Sequence, residues 1–289
     1  MSSQTKIIID ALTLVTQASI RKNELTVLPR RVQIGQKSLL LDQSSPLSSE
    51  DVRRFLISKD GSALPFDADF ALSAIRGQTS DEDSILIILP SKALDSIYEK
   101  IIIAKGMLKG QRTIEVIQAP TYGVGLKLFI DAVAEFSNQG HSPEIVKVFA
   151  DRVLAQIKTG MLLKGKLPEE LIESYSAIQR ILGSVFGKSA LVSITEQGSL
   201  QRIFNDTLLS YVQDQDQEIL IEFSPGGEKF ITRFLGNNPG LKSQPTKLLL
   251  KPEKFSRLRQ VIFFHFLPST MKIRKIADWA THWGQIANT

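Results

Sequence analysis

Apolar residues along this chain alternate between two rhythms, contiguous short runs and helical spacing. Ser84 to Leu89 (SILIIL) is an unbroken apolar run bounded by Asp83 and Pro90, which predicts a strand buried on both faces of a parallel sheet. Lys6 to Ile9 predicts a first strand and Leu25 to Leu28 a second, limited by Pro29 because proline cannot donate to a ladder. Thr113 to Ile117 is a further β-branched strand. Between these runs lie helical segments: Asp51 to Leu56, opened by Ser48 to Asp51; Leu94 to Lys105; and Gly123 to Ala134. Strands alternating with helices predict an open parallel sheet covered on both faces, hence an α/β fold.

A change of pattern follows. Ser142, Pro143 and Glu144 form a strong helix start, with serine as cap and proline where its missing N–H costs nothing. Ile145, Val148, Phe149, Val153, Leu154 and Ile157 give that helix one apolar face, and Gly160 is read as its close. The division into domains is placed here: residues 1–158 as the α/β domain with a mostly parallel sheet, and 159–289 as an α+β domain with a small mixed or antiparallel sheet. In the latter, Glu169 to Leu182 reads as helix. Ser189 to Thr195, Glu218 to Phe223, Lys247 to Leu250 and Gln260 to Phe264 read as strands. Gln197-Gly198 and Pro225 to Gly227 are turns, and Gly236 to Pro245 is a polar loop.

With 289 residues, 43% of them hydrophobic and 22% charged, the chain has material for two ordinary cores. It contains no cysteine, which excludes a disulfide framework, a thiolate metal site and a cysteine nucleophile, and fits a reducing compartment. The apolar run Ile7 to Ile9 is too short for a signal peptide, and no run approaches the ~18 residues of a membrane span. A cytoplasmic location is therefore expected. The net charge of +5 is spread over small groups such as Arg21 and Lys22 or Arg30 and Arg31, which read as solvated surface. Nucleic acid is not expected as a partner, since phosphate binding needs a clustered stripe. One denser group, Lys251, Lys254, Arg257, Arg259, Lys272, Arg274 and Lys275, suits an acidic protein partner.

Motifs for chemistry are sparse. Gly183 to Ser189 (GSVFGKS) is one residue short of a phosphate loop and sits between a helix and a following strand, the wrong order for one. Gly123 and Gly125 form a lone G-x-G, better explained by close helix packing than by a dinucleotide. His141, His265 and His282 stand far apart without ligand spacing, so no metal is indicated. His141 is read as solvated and His282, between Trp279 and Trp283, as packing. His265 lies in the apolar run Val261 to Leu267, where a titratable group needs a partner; it is either a satisfied core histidine or a ligand group. No G-x-S-x-G elbow or paired carboxylates support catalysis, and the chain is expected not to be an enzyme.

Several segments, in order over nearly the whole chain, resemble the DegV family, also called the EDD fold. Lys6 to Asp10 resembles its opening strand and Asp-Ser-Thr turn; Leu25 to Pro29 its proline-ended second strand; Ile87 to Tyr98 its strand and Leu-Ser-Gly-Thr turn; Ile114 to Leu128 its strand and Gly-x-Gly helix. Ile181 to Gly198 is similar to the Leu-Gly-Ser helix, strand and glycine turn, and Val261 to Ile273 to the segment bearing His-Thr-Gly-Pro-Gly, retaining His265 and Pro268.

The resemblance implies a two-domain protein that holds a fatty acid in the cleft between its domains, presents it to a kinase-type protein partner, and uses no other cofactor. It places Asp10, Ser91, Ser96, Thr121 and His265 around the ligand. Departures are many. Ala11 replaces the serine after the first Asp, Leu64 to Asp67 stands for a Thr- and Ser-rich loop, and Leu94 to Ile97 replaces Leu-Ser-Gly-Thr. Gln118 and Ala119 replace Asp-Ser, Lys164 to Lys166 stands for Gly-Gly-Arg, and Leu267 and Ser269 replace both glycines of the histidine motif. Asp67 and Asp95 would bring negative charge toward a carboxylate, which favours a neutral or different ligand, or none. The alternative is a scaffold of this fold that has lost its ligand and acts through protein contacts.

Overall fold

The computed structural model describes residues 5–47, 49, 52, 61–64, 66–78, 84–108, 113–165, 189–195, 197–203, 217–237, 243 and 245–287. Its first sheet is four-stranded and parallel, in the order β2-β1-β6-β7, from β1 (Thr5–Asp10), β2 (Thr26–Leu28), β6 (Ser84–Pro90) and β7 (Thr113–Ala119). The SILIIL run is strand β6, paired with β1 and β7 and buried from Ile85 to Pro90, as an apolar run without alternation requires.

Side-chain alternation then sorts the helices. Ile7, Ile9, Leu86 and Ile88 pack with α1 (Gln17–Lys22), α4 (Gly123–Ser137) and α5 (Pro143–Leu154) on one face. Ile8, Ile85, Ile87 and Leu89 pack with α2 (Ala68–Gln78) and α3 (Ile97–Met107) on the other. The helix after β1 and the helix after β6 thus leave on opposite faces, so the β1/β6 boundary is the switch point of the sheet.

A small antiparallel sheet, β4-β3-β5, made of β3 (Arg30–Ile34), β4 (Lys37–Leu41) and β5 (Gly61–Ala63), flanks this unit and was not expected.

The second sheet has six strands in the order β10-β9-β8-β13-β11-β12: β8 (Lys158–Gly165), β9 (Ser189–Ile194), β10 (Leu200–Arg202), β11 (Gln217–Phe223), β12 (Thr246–Lys247) and β13 (Leu258–Pro268). All pairings are antiparallel except β11 with β12, so the sheet is mixed. Strand β13 lies at its centre. Its alternation divides the sheet: Val261 and Phe263 join Met161, Leu163 and Val192 against Leu94 and Tyr122 of the first unit. Ile262, Phe264 and Phe266 face the other way, with Ile231 and Phe234 of α6 (Glu228–Asn237).

Some expectations are corrected. The helix opened by Pro143 ends at Leu154, and Gly160 lies inside β8, paired with Phe264 and Ser193, rather than closing a helix. Helix α3 starts at Ile97 because Ser91 to Asp95 form a turn, with Leu94 and Asp95 N–H groups both donating to the Ser91 carbonyl. Of the Lys247 to Leu250 segment only Lys247 is in a strand, where it forms β12 with Thr246. The last helix, α7 (Thr270–Ala287), returns to the first unit: Ile273, Ile276, Ala277 and Ala280 pack into the core that holds Val146, Phe149 and Val153. There the Arg152 guanidinium lies 3.6 Å over the Trp279 ring. Expected helices at Asp51 to Leu56 and Glu169 to Leu182, and the Gly183 to Ser189 segment up to Lys188, fall outside the described residues, Val52 apart.

Candidate functional site

The carboxyl ends of β1, β6 and β7 point at the face of the second sheet that carries Phe263 and His265, and each strand delivers polar side chains there. Asp10 ends β1, Ser91 and Asp95 follow β6, and Thr121 and Tyr122 follow β7; all five are buried.

At the β1/β6 switch point the space is occupied by Arg30. This side chain is fully buried; it donates to Asp10 Oδ2 at 2.9 Å and to both oxygens of Asp95 at 3.0 and 3.1 Å, and lies 5.2 Å over the Phe66 ring. The carboxylates are held in turn by backbone: Leu12 N–H donates to Asp10 Oδ1 and Ile97 N–H to Asp95 Oδ1. Burial pushes the Asp10 carboxyl up to about 6; Arg30 pulls it back and Asp95 adds to the rise. Burial by itself would lower Arg30, but Asp10 and Asp95 together hold it above its ordinary range. Arg30 was read as solvated surface, and the structure reverses that. Asp67 does not reach this cluster: it is exposed and accepts the Asp69 N–H at the start of α2.

A second network crosses between the units. His265 is wholly buried, with Nε2 3.0 Å from Glu222 Oε2 and Nδ1 3.0 Å from Thr121 Oγ1. A carboxylate can only accept, so Nε2 carries a proton toward Glu222, and Nδ1 shares the second bond with the Thr121 hydroxyl. Glu222 also accepts the Val124 N–H at 2.8 Å, at the start of α4, where a negative charge is favoured. The G-x-G is explained by this approach. A Cβ on Gly123 would run into the Glu222 carboxylate, and one on Gly125 into Thr121 Oγ1 and the His265 ring. Phe263 stacks on Tyr122 and on His265, with centroids 5.8 and 5.5 Å apart. Phe264 and Phe266 lie on the far face and do not fill the space between the units.

Ser91 Oγ donates to the Gly198 carbonyl and accepts the Ala93 N–H, while the Ser96 hydroxyl and N–H both donate to Glu253. Burial raises the Glu253 carboxyl, Ser96 lowers it, and Asp95 raises it further. Of the predicted residues, Ser91, Ser96, Thr121 and His265 each bond across to the other unit, while Asp10 bonds within the first, to Arg30 and the Leu12 N–H. Among their neighbours the buried Tyr122 hydroxyl has no partner, as is also true of Arg30 Nε and the Thr159 hydroxyl, and burial, with Asp95 and Asp10 nearby, pushes the Tyr122 pKa well above ordinary.

Arg30 and Glu222 were missed. In RRVQI the burial alternates, so Arg30 shares the inward face with Val32 and Ile34, and that alternation is the signal that would have found it. The other histidines are also revised. His282 is exposed rather than packed, and His141 is half-buried, stacked 4.2 Å from Phe136, with its pKa lowered by burial. Lys251, counted in the basic group, is buried with Nζ bonded to the Leu258 carbonyl. Among the described residues no cluster suits a metal ion, and no helix is long and apolar enough to cross a membrane.

Comparison with known proteins locates this architecture. A DegV family protein of Eubacterium eligens, described as loaded with heptadecanoic acid, superposes with a TM-score of 0.57 at 14% identity, covering 92% of this chain and 100% of that one. A DegV family protein of Thermus thermophilus, described by its fatty acid binding, gives 0.59 at 13% over 91% and 99%. DegV of Bacillus subtilis, described as a fatty acid binding protein, gives 0.56 at 11% over 92% and 100%. No curated protein matches. The sequence profile described as "Uncharacterised protein, DegV family" matches residues 4–165, more than half of the 289, and the chain belongs to that family.

Proposed function

We propose that this protein binds an apolar ligand of the acyl type between its two units, without catalysing a reaction, and that its polar pole has been rebuilt so that a free carboxylate is not the preferred headgroup. The observation that carries the reading is the chain-long fold shared with proteins described as fatty-acid-binding, combined with Thr121 and His265 at the inter-unit face. Burying an acyl chain contributes about 0.8 kcal/mol per methylene, so affinity survives a weak headgroup contact. The pole itself is acidic: Asp10, Asp95, Glu222 and Glu253 stand against Arg30. Arg30 is already engaged by two of these acids, and a ligand carboxylate would compete with them for it.

Thr121, His265 and Glu222 have the connectivity of a nucleophile, base and acid. Catalysis needs a substrate against the hydroxyl, and here Thr121 and His265 are fully buried and Gly125 is packed so closely that it leaves no room for a Cβ. We read the chain of bonds as a clasp between the units.

The test is a thermal-shift titration of delipidated protein with hexadecanoic acid, hexadecanol and monopalmitin. Binding raises the melting temperature by linkage. The reading expects a larger rise with the alcohol or the glyceride than with the acid at equal concentration, and it fails if none of the three produces a rise. A second reading, a scaffold that has lost its ligand and works through a protein partner, is favoured by one observation: every predicted headgroup residue is already bonded within the protein. That same titration, flat for all three lipids, would support it.

A further inference from the structure

One cavity stands apart from the ion cluster and from the Thr121 and His265 clasp. It has a volume of about 560 Å³ and opens where the carboxyl end of β7 meets the end of α5 and strands β8 and β9. That volume falls in the ordinary range for small-molecule sites, and the carboxyl ends of parallel strands are where open α/β sheets receive ligands. Its walls are of two kinds. Gln118, Thr159 and Gln197 are polar; Pro120, Leu154 and Ile194 are apolar.

Two of the polar groups are set as if for a ligand. Thr159 is 1% exposed and its hydroxyl has no partner, although it sits beside His265 in the β8/β13 register. A buried hydroxyl left unpaired is unfavourable, and valine would fill the same volume without that cost. Gln118 Oε1 accepts the Lys92 N–H at 3.0 Å, which fixes the orientation of the amide and leaves Nε2 as its donor. Gly198, at φ 74°, lets that amide approach; a Cβ there would collide with it. The charges do not favour an anion. Asp151 and Lys158 oppose each other in the lining, and α5 presents its C-terminal, negative end.

We propose that this groove is a second ligand site, for a small neutral molecule rich in hydroxyl groups, of the sugar or nucleoside class. Amides and hydroxyls on one wall match hydroxyl edges, and the apolar wall matches a ring face. The experiment is saturation-transfer NMR on the full chain with ribose, glucose and uridine at millimolar concentration, repeated after saturation with hexadecanol. The expected result is transfer to at least one of the three that persists in the lipid-saturated protein. Its affinity should fall at least tenfold in Thr159→Val and in Gln118→Leu, both checked for folding by circular dichroism. The proposal is overturned if none of the three binds, or if binding survives both substitutions unchanged. Displacement by hexadecanol would overturn it as well, by making the groove part of the acyl site.

Discussion

The β1/β6 switch point and the groove beside β7 sit at the same end of one parallel sheet, yet their polar groups are treated in opposite ways. At the switch point, Arg30 takes up the carboxylates of Asp10 and Asp95, and backbone N–H groups take what remains. In the groove, Thr159 is buried with nothing bonded to its hydroxyl. The crevice that the topology favours for a ligand is filled by the chain itself, whereas a less obvious recess keeps an unused donor. The difference lies in the carboxylates, which the switch point holds from several sides, since Arg30 Nε and the Tyr122 hydroxyl are buried there without a partner just as the Thr159 hydroxyl is in the groove.

That contrast is sharpest under substitution. Arg30→Met should be the most damaging change, since it leaves two buried carboxylates facing each other; removing one partner of a buried ion pair costs about 3–5 kcal/mol. Urea unfolding followed by circular dichroism measures this, and a loss under 1 kcal/mol would mean the cluster is solvated. His265→Ala comes next, at about 2–4 kcal/mol, from the cavity and the stranded Glu222 and Thr121. A near-neutral result there would undo the clasp.

Protonation of Asp10 gives a smaller effect with a definite sign. Its carboxyl sits at about 6 in the folded chain against 3.8 free, so the folded state holds more protons between those values. The contribution to stability is therefore full below pH 4 and lost as pH rises through 6, by an amount on the order of 1–3 kcal/mol. Melting curves at pH 4.5 and 7 for the wild type and Asp10→Asn check it: the variant should lose this fall. An identical pH profile for both proteins would place the titration elsewhere. Thr159→Val closes the series, with a change within about 1 kcal/mol and in the stabilising direction, because the hydroxyl it removes has no bond to lose. Clear destabilisation would show that Thr159 has a partner in solution.

Much of the first unit was legible. Unbroken apolar runs such as Ile85 to Leu89 belong to strands buried on both faces, and the family resemblance added the order of the parts. The candidate site residues were named through that resemblance, because residues such as Thr121 and His265 are 144 positions apart and come together only after folding. Arg30 was passed over because its partners are 20 and 65 positions away and an Arg-Arg pair by itself reads as surface, although the alternation of RRVQI turns it inward. Gly160 misled because a glycine after an apolar helical face usually ends a helix, while here it sits inside a strand, paired with Phe264 and Ser193. Helices α6 and α7 were overlooked because each carries polar residues around much of its circumference and spends its apolar stripe on a neighbour far off in sequence.

The return of α7 to the first unit means that the polypeptide passes between the two halves twice, once after Leu154 and once after Pro268. The two passages lie side by side, for Val153, Ile157, Leu267, Pro268 and Thr270 line one apolar notch of about 90 Å³. Two neighbouring passages of chain tie the halves together along one seam, like two stitches through the same hem. The bonds from Ser96 to Glu253 add a further stitch between residues 157 positions apart.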